Sequence, residues 1–174
     1  MKRFVLILAL ACLLAGCAPA DYETMADEYL EPEQKAAAEI VAVLPPDATV
    51  MTMEGGESIW LCDGFTLSMQ TLAAGDLDAT LRQVTGYGKD QLAVMTRQSE
   101  GLKRHECSWV CAGEGGDQVG RTVILDDGEY HYVLSLLTDA EKVSSLKEDW
   151  GRILETVSLD IVPSSGGTAP DIGQ

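Results

Sequence analysis

The sequence predicts an α/β/α sandwich: a mostly antiparallel central sheet with helices on both faces, in the α/β (α+β) class. Three observations carry this. Between Gln91 and Leu137 four strand-like runs follow one another with only short polar or glycine-containing breaks. The last two runs are apolar on both faces, whereas a sheet wetted on one side alternates more cleanly, so both faces need cover. The best amphipathic helix in the chain, Asp139 to Thr156, follows at once and supplies one of those covers.

Taken in order, the first helix is expected over Pro32 to Leu44. Pro32 suits a first helical turn, Ala37, Ile40, Val41 and Leu44 keep the i, i+3, i+4, i+7 spacing, and Pro45-Pro46 ends the run. Thr49 to Met53 reads as a short strand and Gly55-Gly56 as a turn. A second strand runs from Ser58 to Gln70, with Ile59, Leu61, Phe65, Leu67 and Met69 alternating and a bulge at Asp63-Gly64. Asp76 to Thr85 is a helix, with Asp76 as N-cap, a Leu77, Leu81, Val84 stripe and Gly86 as the stop.

The four strands that follow are Gln91 to Arg97, Leu102 to Cys111, Val119 to Asp126 and Glu129 to Leu137. Gly113 to Asp117 forms a flexible hairpin loop, and Asp127-Gly128 a tight turn. That turn sets Leu125 opposite Tyr130, Val123 opposite Tyr132 and Ile124 opposite His131. One face then carries Val123, Leu125, Tyr130, Tyr132, Leu134 and Leu136, the other Ile124, Val133 and Leu137. In the final helix Thr138 and Glu141 make a capping box, and Val143, Leu146, Trp150, Ile153, Leu154 and Val157 form the buried stripe.

The amino terminus sets the location. Lys2 and Arg3 precede an apolar run, Phe4 to Leu14, that is too short for a bilayer span of ~20 residues. A basic start, a short apolar run and small residues before a cleavage point describe an export signal. Leu14-Ala15-Gly16-Cys17 resembles the lipobox of bacterial lipoproteins. The resemblance implies a signal peptide over residues 1–16, a diacylglycerol on Cys17, and attachment to the membrane through that lipid, which two acyl chains make stable. Residues 17–31 are then the lipidated cysteine and an acidic tether, with an end-to-end distance of ~20 Å as a flexible coil. Residues 32–162 form one domain, long enough to bury roughly two thirds of its unfolded surface, and 163–174 a disordered tail.

Charge excludes one class of partner. The 174-residue chain carries a net charge of −16, and loss of Lys2 and Arg3 leaves 10 cationic against 28 acidic residues, a net charge of −18. Nucleic acid, whose binding rests on cationic neutralisation of phosphate, is not expected as a partner.

Residues that could carry chemistry give no complete constellation. His105, Cys107, Cys111 and His131 invite a zinc reading, but His105 and Cys111 lie ~20 Å apart along a regular strand. The same geometry keeps Cys107 from Cys111, so Cys62 paired with Cys107 or Cys111 across the sheet is the more plausible disulfide; the alternative is three small buried thiols. Asp126, Asp127 and Glu129 lack the spacing of a calcium loop. Gly113 to Gly116 lacks the lysine and the strand-to-helix setting of a phosphate cradle. No cofactor is implied. Trp60 and Trp109 are the aromatics to watch as partner contacts, should either prove exposed.

The element order, with Asp126-Asp127-Gly128-Glu129-Tyr130-His131-Tyr132-Val133-Leu134 running into the Trp150-Gly151-Arg152-Ile153-Leu154 helix, resembles the PsbP-like fold. Members of that fold mostly bind partner proteins, so the resemblance implies a non-enzymatic module. The expected function is an extracytoplasmic lipoprotein that binds an envelope protein, unidentified from sequence, or serves as an envelope accessory. The alternatives are a small-ligand binding lipoprotein associated with a transporter and, third, a thiol-dependent or hydrolytic enzyme.

Overall fold

A computed structural model describes residues 35–52 and 57–160. The signal peptide, Cys17, the tether, the Gly55-Gly56 turn and the 163–174 tail lie outside the described residues. The elements belong to the second of two compact units, which begins at Ala36.

Nine strands and two α-helices are described: β1 (Glu39–Val41), β2 (Thr49–Thr52), β3 (Ser58–Cys62), β4 (Phe65–Ala73), α1 (Leu77–Thr85), β5 (Met95–Ser99), β6 (Leu102–Gly113), β7 (Gly116–Asp126), β8 (Tyr130–Asp139), α2 (Val143–Thr156) and β9 (Ser158–Asp160). Seven strands make one antiparallel sheet in the order β2-β3-β4-β8-β7-β6-β5, while β1 and β9 form a separate antiparallel pair. On one face α2 buries Leu146, Trp150, Ile153 and Leu154 against Phe65, Leu67, Met69, Val123, Leu125, Tyr132, Leu134 and Leu136. On the other, Leu81 of α1 packs with Cys107, Ile124 and Val133. The domain is the α/β/α sandwich expected, with a helix on each face.

The first expected helix is not there. Between Lys35 and Leu44 the described chain holds no helix, and its only regular element is β1. Ala38, Ile40, Ala42 and Leu44 alternate onto the core beneath α2. That period of two was present in the sequence beside the helical spacing. Its backbone donors go to distant partners: the Ala38 N–H donates to the Tyr132 hydroxyl (3.0 Å) and the Val43 N–H to Thr156 Oγ1 (3.0 Å). Ile40 stands opposite Leu159 in the β1–β9 pair. Tertiary pairing overrides the helix preference of an alanine-rich segment, and Pro45 biases Leu44 toward extended backbone.

Asp63-Gly64 is a tight hairpin turn, not a bulge. Cys62 faces Phe65 across it, and Gly64 takes φ +82°, which favours glycine. Gly113 to Asp117 is likewise no loop: Gly113 pairs with Gly116, leaving a two-residue turn. At the β7–β8 hairpin the register is shifted by two. Asp126 pairs with His131, Leu125 with Tyr132 and Ile124 with Val133. The Asp127 carboxylate accepts from the N–H groups of Glu129 (3.0 Å) and Tyr130 (2.8 Å), which closes a longer turn over Asp127 to Tyr130. Because side chains alternate with a period of two, the slip preserves each residue's face.

The capping box at α2 is also replaced. Thr138 is still in β8, and its hydroxyl donates to the Gly64 carbonyl at 2.6 Å, while a 3-10 turn over Ala140–Lys142 leads into the helix. The other end of α2 is capped from the sheet: the Arg104 guanidinium donates to the Leu154 carbonyl at 2.6 Å and to the Val157 carbonyl at 3.4 Å.

Trp109 packs against Gly120, its cross-strand partner, and its indole N–H donates to Thr122 Oγ1 at 3.0 Å. A Cβ at Gly120 would collide with Cε2 and Cζ2 of the indole. Gly120→Val is therefore expected to expel the ring and break that bond, shifting the Trp109 indole N–H resonance and leaving those of Trp60 and Trp150 in place.

Candidate functional site

The sheet ends on one side in β2, whose sequence Thr-Val-Met-Thr contains no charge and no proline. Sheet edges are ordinarily protected by such residues, because a row of unpaired backbone groups templates further pairing. Here the side chains reinforce the invitation. Val50 (54% exposed) stands opposite Trp60, and on the reverse face Met51 (47% exposed) and Leu61 (44% exposed) are diagonal neighbours two rungs apart. The opposite edge, β5, carries Arg97 in its centre.

Beside this edge runs a groove of about 560 Å3 between the Ala37–Leu44 segment and the sheet. Ile40, Ala42 and Leu44 form one wall, Trp60 and Met69 the other, and Ser58, Gln70 and Thr71 add polar groups. Trp60 is half-buried in this wall. Trp109, the second aromatic singled out by sequence, is half-buried on the α1 face and is held there by Gly120 and Thr122.

Cys62, Cys107 and Cys111, the cysteines among the described residues, are free thiols. The expected bridge from Cys62 to Cys107 or Cys111 is not formed, for a geometric reason. Cys62 lies in β3, while Cys107 and Cys111 lie in β6, four strands away in the sheet order. At ~4.8 Å per strand that is ~19 Å, far beyond the ~7 Å a disulfide tolerates. Cys62 also packs on the α2 face and Cys107 on the α1 face. Burial pushes the Cys107 thiol up to about 11. Burial, with the Asp47 carboxylate adding to it, raises Cys62 as well. Neither has the depressed pKa of a reactive nucleophile.

The two histidines meet, although not with the cysteines. Under α1, His131 Nε2 lies 3.9 Å from Asp126 Oδ1 and His105 Nε2 lies 3.8 Å from Asp126 Oδ2. Each ring is fixed at its other nitrogen: His131 Nδ1 is 2.7 Å from the Thr80 hydroxyl of α1, and His105 Nδ1 is 2.9 Å from the Thr96 hydroxyl of β5. Lys103 Nζ sits 3.3 Å from Asp126 Oδ2. Among the described residues no three His, Cys, Asp or Glu side chains converge on a metal-sized point. Burial lowers the His105 pKa, outweighing the opposing pull of Asp126. At Asp126 burial pushes upward, but the Gly128 N–H and the Lys103 ammonium hold the carboxyl below its ordinary value.

Sequence reasoning did not assemble this cluster. The sequence reading ends a strand at Asp126 and sets His131 opposite Ile124; once the register is moved by two, His131 and Lys103 flank Asp126 on adjacent strands.

No family model matches the chain, and no curated protein matches it. Solved structures do. The solution structure of cyanobacterial PsbP (CyanoP) from Synechocystis superposes with a TM-score of 0.52 at 8% identity, covering 72% of this chain and 95% of that one. LpqN of Mycobacterium tuberculosis, described as involved in cell envelope biogenesis, gives a TM-score of 0.43 at 11% identity, over 72% of this chain and 85% of its own. The domain shares the PsbP-like fold.

Proposed function

We propose that the chain is a membrane-tethered extracytoplasmic lipoprotein whose domain works without catalysis, as a module that binds a protein partner or serves as an envelope accessory. The observation that carries this reading is the unprotected β2 edge with Val50, Met51 and Leu61 exposed around it. Such an edge suits strand addition, in which an extended segment of a partner gains main-chain hydrogen bonds while alternate side chains meet apolar contacts on each face. The lipobox-like Leu14-Ala15-Gly16-Cys17 supports attachment at the membrane surface, and the acidic balance speaks against nucleic acid.

The test is crosslinked capture from intact cells with the full-length chain, a Cys17→Ser control and a Val50→Lys, Met51→Lys edge variant. Capture of a stoichiometric partner is expected to fall about tenfold in the edge variant, the equivalent of ~1.4 kcal/mol, and the membrane fraction to be lost with Cys17→Ser. Capture that is indifferent to the edge variant sinks the reading.

The groove beside Trp60 favours a second reading, a small-ligand binding lipoprotein associated with a transporter. Its volume of about 560 Å3 is within the range of small-molecule sites. A ligand seated there would change Trp60 emission, and the change would be absent from Trp60→Phe. The thiol-enzyme reading draws no support from the raised Cys62 and Cys107 pKa values.

A further inference from the structure

We propose that His105, Asp126 and His131 form an acid-sensitive latch, which holds α1 and the edge strand β5 on the sheet and releases them when the His105 imidazole takes up a proton. The geometry supplies the argument. Both rings are buried, His131 at 2% and His105 at 6% exposure. Each points one nitrogen at the single carboxylate of Asp126 and the other at a hydroxyl on a peripheral element, Thr80 of α1 for His131 and Thr96 of β5 for His105. The two Nε2–carboxylate separations, 3.8 and 3.9 Å, leave both rings close to Asp126 without a direct hydrogen bond.

The charges around the rings decide what protonation does. Among the described residues Asp126 is the carboxylate between them, and Lys103 already engages its Oδ2. Thr80 and Thr96 are neutral, and Cys107, next along β6 on the same face, is a buried thiol whose raised pKa keeps it neutral. On α1 the Asp78 carboxylate is paired with Arg82 at 2.7 Å on the solvent side, and Asp127 of the hairpin is engaged by Tyr132 and by turn N–H groups. With His105 protonated, the Asp126 carboxylate faces two cations, His105 and Lys103. A buried excess of positive charge is costly, and it is relieved when water reaches the ring.

The element best placed to yield is α1. It has nine residues, below the length at which a helix holds alone in water, so it depends on docking through Leu81 and the Thr80–His131 bond. β5 is an edge strand exposed at each of its residues. By contrast α2 carries four buried side chains on the opposite face.

The sign follows from His105. Its folded pKa lies below the ordinary 6.5, so its contribution to stability is complete above that value and is lost as pH falls from 6.5 toward the folded pKa. Asp126, held below 3.8, keeps its contribution throughout that window and loses it only at lower pH.

The test uses the full-length chain in detergent micelles, following imidazole resonances and amide exchange from pH 7.5 to 5. After correction for intrinsic exchange, α1 and β5 amides are expected to lose protection ~3-fold or more as His105 titrates, with α2 amides unchanged. His105→Gln with His131→Gln is expected to abolish that selective response. Should the double variant not fold, the wild-type comparison of α1 with α2 decides alone. A His105 that titrates without any change in α1 or β5 protection overturns the proposal, as does a uniform loss that includes α2.

Discussion

Replacing Trp150 by alanine is expected to cost the domain about 3–5 kcal/mol, the range for deleting a large buried aromatic. The ring is 2% exposed at the centre of the cluster under α2, and meets Phe65 edge-on with ring centroids 6.2 Å apart. Domains of this kind are stable by only ~5–15 kcal/mol, so the loss takes a large share of the total. Trp150→Phe keeps an aromatic ring in the site and, since the indole N–H has no acceptor among the described residues, forfeits no hydrogen bond there. It should therefore lose much less. Urea unfolding of the three proteins measures this: a fall in midpoint at constant slope reports stability alone. A loss under ~1 kcal/mol for the alanine variant would remove Trp150 from its place as the anchor of α2.

The sandwich was legible because its signals are local. Leu77, Leu81 and Val84 mark α1 between an Asp76 cap and the Gly86 stop, and the structure keeps all three features: Asp76 Oδ1 accepts from the Asp78 N–H, and Gly86 adopts φ +81°. The α2 stripe at Leu146, Trp150, Ile153 and Leu154 is likewise read from spacing alone. What failed depended on distant partners. Nothing near Ile40 announces Leu159, more than a hundred residues away, as its strand partner. The β7–β8 turn failed differently: Asp127-Gly128 is a strong two-residue signal, but the Asp127 side chain takes up backbone N–H groups that such a turn would leave elsewhere.

These errors have unequal consequences for function. The two-residue slip in register kept Val123, Leu125, Tyr132, Leu134 and Leu136 on one face, so the core survived it. Polar pairs depend on which residues stand opposite one another, and the His105–Asp126–His131 cluster was therefore invisible until the register was known. Trp60 stands in one wall of the groove, and the wall facing it is made by the very segment whose spacing predicts a helix.

That segment is also where a single atom has leverage. Tyr132→Phe is expected to cost about 2 kcal/mol, well beyond what its size suggests, because the hydroxyl joins two elements. It accepts from the Ala38 N–H at 3.0 Å and donates to Asp127 Oδ2 at 3.1 Å, on a side chain with no exposed surface. Phenylalanine fills the same space but strands a partly buried donor on the segment that walls the groove. The Asp127 carboxylate keeps its bonds from Glu129 and Tyr130, so the hairpin should hold. The damage should concentrate on β1, which has only three residues paired with β9. Amide exchange would then rise over Glu39–Val41 while β7 and β8 stay protected, and Trp60, facing the loosened wall, would emit at longer wavelength. Unchanged exchange in β1 would mean that Ile40 packing, not the Tyr132 hydroxyl, holds the groove closed on that side.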